Sequence, residues 1–348
     1  MKAGIVTEKG KIACGEWKTP EVTAGKVLIE VKACGICGSD VPRVLGDEAR
    51  YYPIVIGHEF SGIVKEAGSG VTTLRPGDRV AGAPLIPCMK CDDCMSGHYA
   101  LCKHYSFIGS REQGAFAQYV CIPEKNAIRF NDTVSFEQGA FFEPSTVALH
   151  GILNSGYTGG GLTAILGGGT IGLFTALWAK LFGARSVCVF DINEERLALA
   201  GKFGVDQTIN TGEGHFREAV MDYTHNRGFD FVFETAGVSV TQLLAYEIAS
   251  NKARVTFIGT PHSPLTFTQK IWENLNRKEL LVTGTWMSYS APFPGREWTL
   301  TAEYFSDGRL HFDRSLIHKT FTLEHIDQAF ELFKNPQEVK GKILVLTT

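Results

Sequence analysis

The feature that most constrains the fold is a glycine-rich turn that joins an apolar strand to an apolar helix. Residues 162–166 read LTAIL, residues 167–172 carry the pattern G-x-G-x-x-G, and a helix is predicted over residues 171–182. Glycines at such a turn let the backbone approach a pyrophosphate, and the unpaired N–H groups of the helix N-terminus favour its negative charge. The motif alone is a weak signal, so its interpretation depends on the surrounding sequence.

The surroundings of this turn indicate a dinucleotide site. The turn opens the half of the chain in which strands and helices alternate, and the next predicted strand ends at Asp191, about 20 residues beyond the turn. A carboxylate there accepts hydrogen bonds from the adenosine ribose hydroxyls and repels a 2′-phosphate, which favours NAD over NADP. The alternative is a tight strand–helix turn with an exposed N-cap acid. The predicted cofactor-binding residues are Gly167, Gly169, Thr170, Ile171, Gly172 and Asp191.

The 348 residues suffice for about two domains, and the pattern of the sequence changes near residue 151. Before that point, short strands are predicted over residues 26–32, 57–64, 79–83 and 116–122. After it, strands over residues 163–166, 186–190, 229–234, 254–259 and 280–284 alternate with helices such as 171–182 and 193–203. That alternation is typical of a parallel sheet with crossover helices. Beyond Trp286 we expect a proline-containing loop at residues 290–295, then a helix, a loop, a helix and a last strand at residues 343–346.

Charge and hydropathy favour a small-molecule partner. The chain has 37 acidic and 34 basic residues, a net charge of −3, and therefore no basic surface for nucleic acid or anionic lipid. Residues 144–179 contain no charged side chain, but glycines at 159–161 and 167–169 argue against a membrane-spanning helix. The N-terminal segment lacks the features of a secretory signal, so we expect a cytoplasmic protein that binds neither membrane nor nucleic acid.

Four of the nine cysteines form a C-x-x-C-x-x-C-x7-C pattern, which comprises Cys88, Cys91, Cys94 and Cys102. Four thiolates at this spacing suit one tetrahedral Zn²⁺, and a site with four protein ligands leaves no open position for chemistry. Such a site is structural. The alternatives are an iron–sulfur cluster, whose common patterns have other gaps and a Cys-Pro ending, and disulfides, which a reducing cytosol disfavours.

A second metal site is indicated by Cys37, His58 and Glu143. Glu143 lies in an apolar segment, where a carboxylate is costly unless it is paired or bound to a cation. These three ligands leave a fourth position open, as in a catalytic zinc site, and Asp40 can orient His58 through its second ring nitrogen. The alternative is that Cys37 and His58 are ordinary buried residues. The remaining cysteines are interpreted as buried structural thiols: Cys14, Cys34, Cys121 and Cys188.

In order and spacing, these motifs resemble those of the zinc-dependent medium-chain alcohol and polyol dehydrogenases. The resemblance covers essentially the whole chain and rests on GHEFSGIV from Gly57, the four-cysteine lobe, Glu143-Pro144 and GGGTIG from Gly167. It implies an α/β fold with a GroES-like, β-rich catalytic domain and a Rossmann domain built on a doubly wound parallel sheet. We expect the catalytic domain over residues 1–150 with a structural zinc lobe at about 86–104, the NAD-binding domain over 151–286, and a return to the catalytic domain over 287–348.

The resemblance also implies roles for individual residues. Cys37, His58 and Glu143 would hold the catalytic zinc, and Glu59 would be a nearby carboxylate that exchanges on and off the metal. Ser39 matches the hydroxyl that receives the substrate proton. Two zinc ions and one NAD per chain are therefore expected, in a homodimer or a homotetramer.

The resemblance extends to a substrate class. YYPIVIGHEFSG, FIGSREQGAFAQY and RKELLVTGTWMSYSAPFPG are similar to the segments of the polyol-phosphate branch, which implies oxidation of galactitol 1-phosphate to tagatose 6-phosphate. Pro42 stands where many relatives carry a histidine, so the outer proton relay must run through ribose and water or another group. Met287 replaces an arginine of sorbitol-type relatives, which disfavours sorbitol. Candidate substrate contacts are Arg43, Arg111, Trp286 and Tyr289.

Two other functions are compatible with these motifs. The first keeps the chemistry but changes the substrate to a free polyol or L-threonine. The second is a zinc-stabilised NAD(H)-binding sensor or scaffold without turnover, which the intact set of Cys37, His58 and Glu143 disfavours.

Overall fold

The computed structural model of the protein describes residues 1–261 and 263–347 and divides the chain into two compact units. The β-rich unit comprises Met1–Glu143 and Tyr289–Thr348, and the parallel-sheet unit comprises Pro144–Ser288. The first predicted domain boundary, after residue 150, lies inside the helix Phe142–Asn154. The observed division, between Glu143 and Pro144, lies in the same helix. A boundary inside a helix is not marked by a cluster of glycines or prolines in the sequence.

The strands, in chain order, are β1 (Lys2–Glu8), β2 (Lys11–Glu16), β3 (Lys26–Gly35), β4 (Ile54–Val55), β5 (Glu59–Ala67), β6 (Arg79–Gly82), β7 (Leu85–Ile86), β8 (Ser106–Phe107), β9 (Tyr119–Pro123), β10 (Ala127–Arg129), β11 (Leu162–Leu166), β12 (Ser186–Asp191), β13 (Gln207–Asn210), β14 (Phe229–Glu234), β15 (Ala249–Phe257), β16 (Leu281–Gly284), β17 (Ile317–Thr322) and β18 (Lys342–Leu346). The α-helices are α1 (Val41–Val44), α2 (Asp92–Met95), α3 (Phe136–Gly139), α4 (Phe142–Asn154), α5 (Thr170–Leu181), α6 (Glu194–Lys202), α7 (Phe216–Tyr223), α8 (Ser239–Ile248), α9 (Gln269–Arg277), α10 (Arg296–Ser306) and α11 (Ile326–Glu331).

The β-rich unit is organised around β3. Within the described residues, its main sheet has the order β10-β6-β5-β3-β18-β17 with β9 also paired to β3, and smaller sheets have the orders β2-β1-β4 and β7-β8. Alternate residues of β3, namely Val27, Ile29 and Val31, are fully buried in the core of this unit. Each such side chain stabilises the fold by about 1.5–3 kcal/mol on burial. The buried side chains fix β3 in the core, and Cys37 of the candidate site follows two residues after the end of this strand.

The parallel-sheet unit contains six strands in the order β13-β12-β11-β14-β15-β16, and every neighbouring pair is parallel. This is the 3-2-1-4-5-6 order of a doubly wound dinucleotide-binding fold. The direction of winding reverses between β11 and β14, and ligands bind such sheets outside the carboxyl ends of the strands at that point. The glycine-rich turn follows β11 there, so the predicted Rossmann fold is confirmed.

Some predicted elements differ from the structure. The region expected to hold only a loop between the last two helices contains β17, in which three residues are partly buried, two are exposed and only Phe321 is buried. A strand with one buried apolar residue leaves little hydrophobic alternation in the sequence, and β17 is held by its parallel pairing with β18. Two of the thiols predicted to be buried, those of Cys14 and Cys121, are partly exposed.

The uncharged stretch at residues 144–179 is divided among α4, β11 and α5. Across residues 1–261 and 263–347, every helix is too short or too polar to cross a membrane.

Candidate active site

The four cysteines of the predicted structural site converge in the β-rich unit, where their Sγ atoms all lie within 4.8 Å of one another. Cys88 Sγ is 4.0 Å from Cys94 Sγ, and Cys91 Sγ is 3.9 Å from Cys102 Sγ. A tetrahedron with zinc–sulfur bonds of about 2.3 Å has sulfur–sulfur edges of about 3.8 Å. A disulfide needs sulfurs about 2.05 Å apart. The cluster therefore fits one zinc ion, and the spacing does not fit disulfides.

Two thiols of this cluster differ strongly in acidity. The backbone N–H groups of Lys90 and Cys91 lower the pKa of Cys88 to about 6, so this side chain is largely a thiolate at neutral pH. Burial raises the pKa of Cys94 to about 12. Such a thiol needs a bound cation to lose its proton, and a coordinating metal supplies that effect.

We expect Cys91→Ser to destabilise the β-rich unit by an amount on the order of several kcal/mol, because a closed thiolate site contributes its binding energy to folding. Thermal unfolding and the zinc content per chain measure the effect. Cys121→Ser, at a thiol outside the cluster, is the matched control and should change neither quantity. Cys91→Ser protein that loses one zinc but melts normally would contradict the structural role.

A second cluster forms where two strands of the main sheet meet. Cys37 follows β3, and His58 immediately precedes Glu59, the first residue of β5. Antiparallel pairing places Gly35 opposite Glu59. This register brings a thiol sulfur, an imidazole nitrogen and a carboxylate oxygen of Cys37, His58 and Glu59 within 4.8 Å of one another. Sulfur, nitrogen and oxygen donors in this combination are zinc ligands, and three of them leave one position open.

Asp40 ties two members of this cluster together. Its side chain is fully buried, its Oδ2 accepts a hydrogen bond from the Cys37 backbone N–H at 3.1 Å, and its Oδ1 lies 3.3 Å from His58 Nδ1. Burial opposes a positive charge on His58, but the attraction of Asp40 and Cys37 outweighs it and raises the pKa of His58. The cluster, in which His58 and Glu59 are buried and Cys37 is partly exposed, therefore stabilises a positive charge, as a metal site must.

Lys342, which the sequence analysis missed, neutralises Glu59. Its Nζ lies 2.8 Å from Glu59 Oε1 and 2.7 Å from Glu59 Oε2, and donates to the Ile36 carbonyl at 3.3 Å. Both side chains are at least nine-tenths buried. A Cβ at Gly35 would collide with the Glu59 carboxylate, so this close approach requires glycine there. The available signal was a lysine that opens an otherwise apolar last strand, KILVL.

Glu143, the predicted third ligand, lies in the first turn of α4. Burial raises its pKa to about 7, with the attraction of His58 opposing that rise and the repulsion of Glu59 adding to it. These interactions show that Glu143 shares an electrostatic environment with His58 and Glu59. The set of ligand atoms within 4.8 Å of one another, however, contains Glu59 as its carboxylate.

The predicted proton acceptor and phosphate contacts lie in the same unit. Ser39 is exposed in the 3-10 turn Gly38–Asp40, and Arg43 Nη1 donates to its Oγ at 3.1 Å. Arg111 Nη1 donates to the Tyr105 carbonyl at 2.8 Å, and its guanidinium carbon lies 3.9 Å from the centre of the Tyr105 ring. Both arginines are therefore engaged within the protein.

The two aromatic candidates have different environments. Trp286 is 50% exposed and is available to a ligand. Tyr289 is 3% exposed, its ring stacks on that of Phe293, and its hydroxyl accepts the Leu85 backbone N–H at 2.9 Å. With so little free surface, Tyr289 has a packing role in this structure.

The glycine-rich turn in the parallel-sheet unit has the geometry that a pyrophosphate requires. Gly169 is the N-cap of α5, so the first N–H groups of that helix begin at the turn. A Cβ at Gly172 would collide with the Gly167 carbonyl oxygen, which shows how closely the helix approaches the turn. Thr235 Oγ1, just beyond β14, donates to the Leu166 carbonyl at 3.0 Å and holds the end of β11. These residues fit a dinucleotide.

Asp191 is fixed beside this turn. Its Oδ2 accepts the Gly168 N–H at 2.6 Å, and its Oδ1 accepts the Asn193 N–H at 2.9 Å. Arg196 Nη1 lies 3.8 Å from Asp191 Oδ2. Each carboxylate oxygen can accept a further hydrogen bond, so the carboxylate is oriented by the protein and still able to bind hydroxyls.

A ligand cluster that fits a metal with one open position, in one unit, and a glycine-rich turn that fits a dinucleotide, in the other, match the parts that a metal-dependent alcohol oxidoreductase needs. Residues 23–132 match the alcohol dehydrogenase GroES-like domain, and residues 170–303 match the zinc-binding dehydrogenase domain.

Known proteins match over most or all of the chain. Galactitol 1-phosphate 5-dehydrogenase of Escherichia coli K12 is 38% identical over 348 residues, which cover 99% of this chain and 100% of that protein. The crystal structure of galactitol-1-phosphate dehydrogenase from Escherichia coli superposes with a TM-score of 0.94 and the same coverage. L-threonine 3-dehydrogenase of Rhizobium etli CIAT 652 is 34% identical, covering 80% of this chain and 82% of that protein. A zinc-binding dehydrogenase structure from Sinorhizobium meliloti 1021, bound to NADP, is 31% identical with a TM-score of 0.87, covering 99% and 98% of the two chains.

The chain belongs to the zinc-containing medium-chain alcohol and polyol dehydrogenases. The predictions of this family, of its two-domain fold and of a zinc-dependent enzyme are thereby confirmed.

Proposed function

We propose that this enzyme oxidises a secondary hydroxyl of a polyol phosphate with NAD, and that the substrate is galactitol 1-phosphate, oxidised at carbon five to tagatose 6-phosphate. The observation that carries the proposal is the 38% identity to galactitol 1-phosphate 5-dehydrogenase over the full length of both chains. L-threonine 3-dehydrogenases are less similar, at 34% identity for the Rhizobium etli protein and 30% for the Cronobacter sakazakii protein, which matches 97% of the chain.

Cys37 and His58 would hold the catalytic zinc together with a carboxylate, Glu143 as the resemblance implies or Glu59 as the geometry favours. When bound, zinc supplies a Lewis acid that lowers the pKa of the substrate hydroxyl, and NAD supplies the hydride acceptor. Asp40 Oδ1, 3.3 Å from His58 Nδ1, would orient the His58 ring when its other nitrogen holds the metal. Ser39 Oγ, exposed beside Cys37, takes the proton of the substrate hydroxyl and passes it outwards.

The substrate is tested by comparing kcat/KM for galactitol 1-phosphate, galactitol, sorbitol and L-threonine with NAD. A phosphate held by charge-assisted hydrogen bonds contributes about 1.5–3 kcal/mol, or roughly ten- to a hundredfold in kcat/KM. We therefore expect galactitol 1-phosphate to exceed galactitol by at least about tenfold. Equal kcat/KM for galactitol 1-phosphate and galactitol would show that the phosphate is not required. A higher kcat/KM for L-threonine than for galactitol 1-phosphate would show that L-threonine is the better substrate.

We propose that Asp191 selects NAD, because its oriented carboxylate accepts ribose hydroxyls and repels a 2′-phosphate. Asp191→Ala should lower the ratio of kcat/KM for NAD to that for NADP by about tenfold or more. Asp191→Asn is the sharper variant, since its amide oxygen can still accept one backbone N–H while the negative charge is lost. Wild-type protein that already uses NADP as well as NAD would show that this residue does not select the cofactor.

We propose that two copies associate through β16, the edge strand of the parallel sheet. Leu281 and Val282 on this strand are 51% and 41% exposed. An unpaired edge strand with exposed apolar side chains favours pairing with another chain. Light scattering should give at least a dimer for the wild type, and Val282→Lys should increase the monomer fraction. The exposed Val240→Lys on α8 is the control. Wild-type protein that is monomeric would contradict the proposal.

A further inference from the structure

Arg43 makes two contacts in the candidate site. It lies on α1, four residues after Ser39 and three after Asp40, and its Nη1 donates to Ser39 Oγ at 3.1 Å and to Asp40 Oδ1 at 3.1 Å. Its side chain is 21% exposed, and that of Asp40 is fully buried. One guanidinium nitrogen thus links an exposed hydroxyl to a buried carboxylate.

The Asp40 contact connects Arg43 to the metal-ligating residues. Asp40 is bound to the Cys37 backbone N–H and faces His58 Nδ1. Removing one partner from a buried charge is strongly destabilising, because the other charge is left uncompensated in a low-dielectric environment. Drawing Arg43 away to bind a substrate phosphate would therefore weaken the group that orients His58.

The Ser39 contact determines what that hydroxyl can do. A serine hydroxyl has one hydrogen and two lone pairs. Arg43 occupies one lone pair, so the other remains to accept the substrate proton and the O–H is free to donate outwards. A guanidinium stays protonated at every relevant pH, so Arg43 cannot itself accept the proton.

We infer that Arg43 is a positioning residue for alcohol oxidation, which fixes the Ser39 hydroxyl and the Asp40 carboxylate, and that it is not the phosphate anchor. This inference rests on the proposed role of Ser39 as proton acceptor. It also assigns a role to a residue next to Pro42, where the histidine of many relatives is missing.

The test measures kcat and KM for wild type, Arg43→Ala, Arg43→Lys, Ser39→Ala and the Ser39→Ala/Arg43→Ala double variant. The substrates are galactitol 1-phosphate, galactitol and propan-2-ol, the last of which carries neither phosphate nor polyol chain. Misplacing a reacting group by about 1 Å costs on the order of a hundredfold. We expect Arg43→Ala to lower kcat by about 10- to 100-fold on every substrate, with KM changed much less.

Two further comparisons separate positioning from a structural role. In the Ser39→Ala background, Arg43→Ala should lower kcat by a smaller factor than in the wild type, because the part of the loss that acts through the Ser39 hydroxyl is already gone and only the part that acts through Asp40 remains. Arg43→Lys should recover part of the loss, since an ammonium can still pair with Asp40. Arg75→Ala, which removes an exposed arginine paired with Asp78 at the same i,i+3 spacing, is the control and should leave kcat unchanged.

Two results would overturn the inference. One is a loss confined to KM for galactitol 1-phosphate, which would make Arg43 the phosphate anchor. The other is an equal fold-loss of kcat in the wild-type and Ser39→Ala backgrounds. The proposed substrate is judged separately, by the preference of the wild type among the three alcohols. The ratio of kcat in the Arg43 variants to kcat in the wild type, measured with propan-2-ol, does not depend on that preference.

Discussion

His58→Ala should remove turnover while leaving the fold and NAD binding nearly intact. In the proposed metal cluster this histidine supplies the nitrogen ligand, and a catalytic metal contributes several kcal/mol of transition-state stabilisation. Since each 1.36 kcal/mol is a factor of ten, we expect kcat to fall by on the order of a thousandfold or more. Steady-state kinetics measure the loss, and a fluorescence titration with NADH measures cofactor binding.

The control for this variant is His215→Ala, at a histidine whose side chain is 87% exposed. It should reproduce wild-type kinetics and wild-type NADH binding. Activity retained in His58→Ala would show that the metal assignment is wrong. Loss of NADH binding together with activity would instead indicate that the substitution disrupts the protein.

Lys342→Met should cause the largest loss of stability among single substitutions at the site. It removes the ammonium that faces both oxygens of the buried Glu59 carboxylate, and breaking a buried ion pair by removing one partner costs about 3–5 kcal/mol. Burial opposes the charge of Lys342, but the attraction of Glu59 and Cys37 outweighs it and raises the pKa of Lys342, so this ammonium stays charged at neutral pH. Urea unfolding of the zinc-loaded protein measures the change in the free energy of unfolding.

Two further variants make this prediction specific. Lys65→Met removes an exposed lysine that pairs with Glu30, and such surface pairs contribute about 0–1 kcal/mol. The Lys342→Met/Glu59→Gln double variant removes both charges and should recover much of the stability. If Lys342→Met lowers the free energy of unfolding by no more than Lys65→Met does, the buried pair of Lys342 and Glu59 does not stabilise the fold as proposed.

Much of the site could be predicted because its signals are local in the sequence. The cysteine spacing from Cys88 to Cys102 lies within one short segment, and the glycine-rich turn lies between one strand and one helix. Asp191 could be located because the length of a βαβ unit is nearly fixed. The chemistry of these motifs follows from residue types and short spacings, and both can be read from the sequence without knowledge of the fold.

The remaining features depend on contacts distant in sequence. Lys342 reaches Glu59 because β18 pairs with β3, an arrangement that short-range patterns do not show. Which carboxylate joins Cys37 and His58 depends on the register of β5 against β3. Arg43 could be named as an anion-binding candidate, but its engagement with Ser39 and Asp40 is visible only in the structure.

Zinc-dependent catalysis at Cys37 and His58, beside a structural site of four cysteines, requires two metal sites in each chain. The most direct test is the zinc content of purified wild-type protein and of His58→Ala, measured by mass spectrometry of the metal and normalised to the chain concentration. We expect two zinc ions per chain in the wild type and one in His58→Ala. One zinc ion per chain in both proteins would show that the open cluster holds no zinc and would contradict zinc-dependent catalysis at Cys37 and His58.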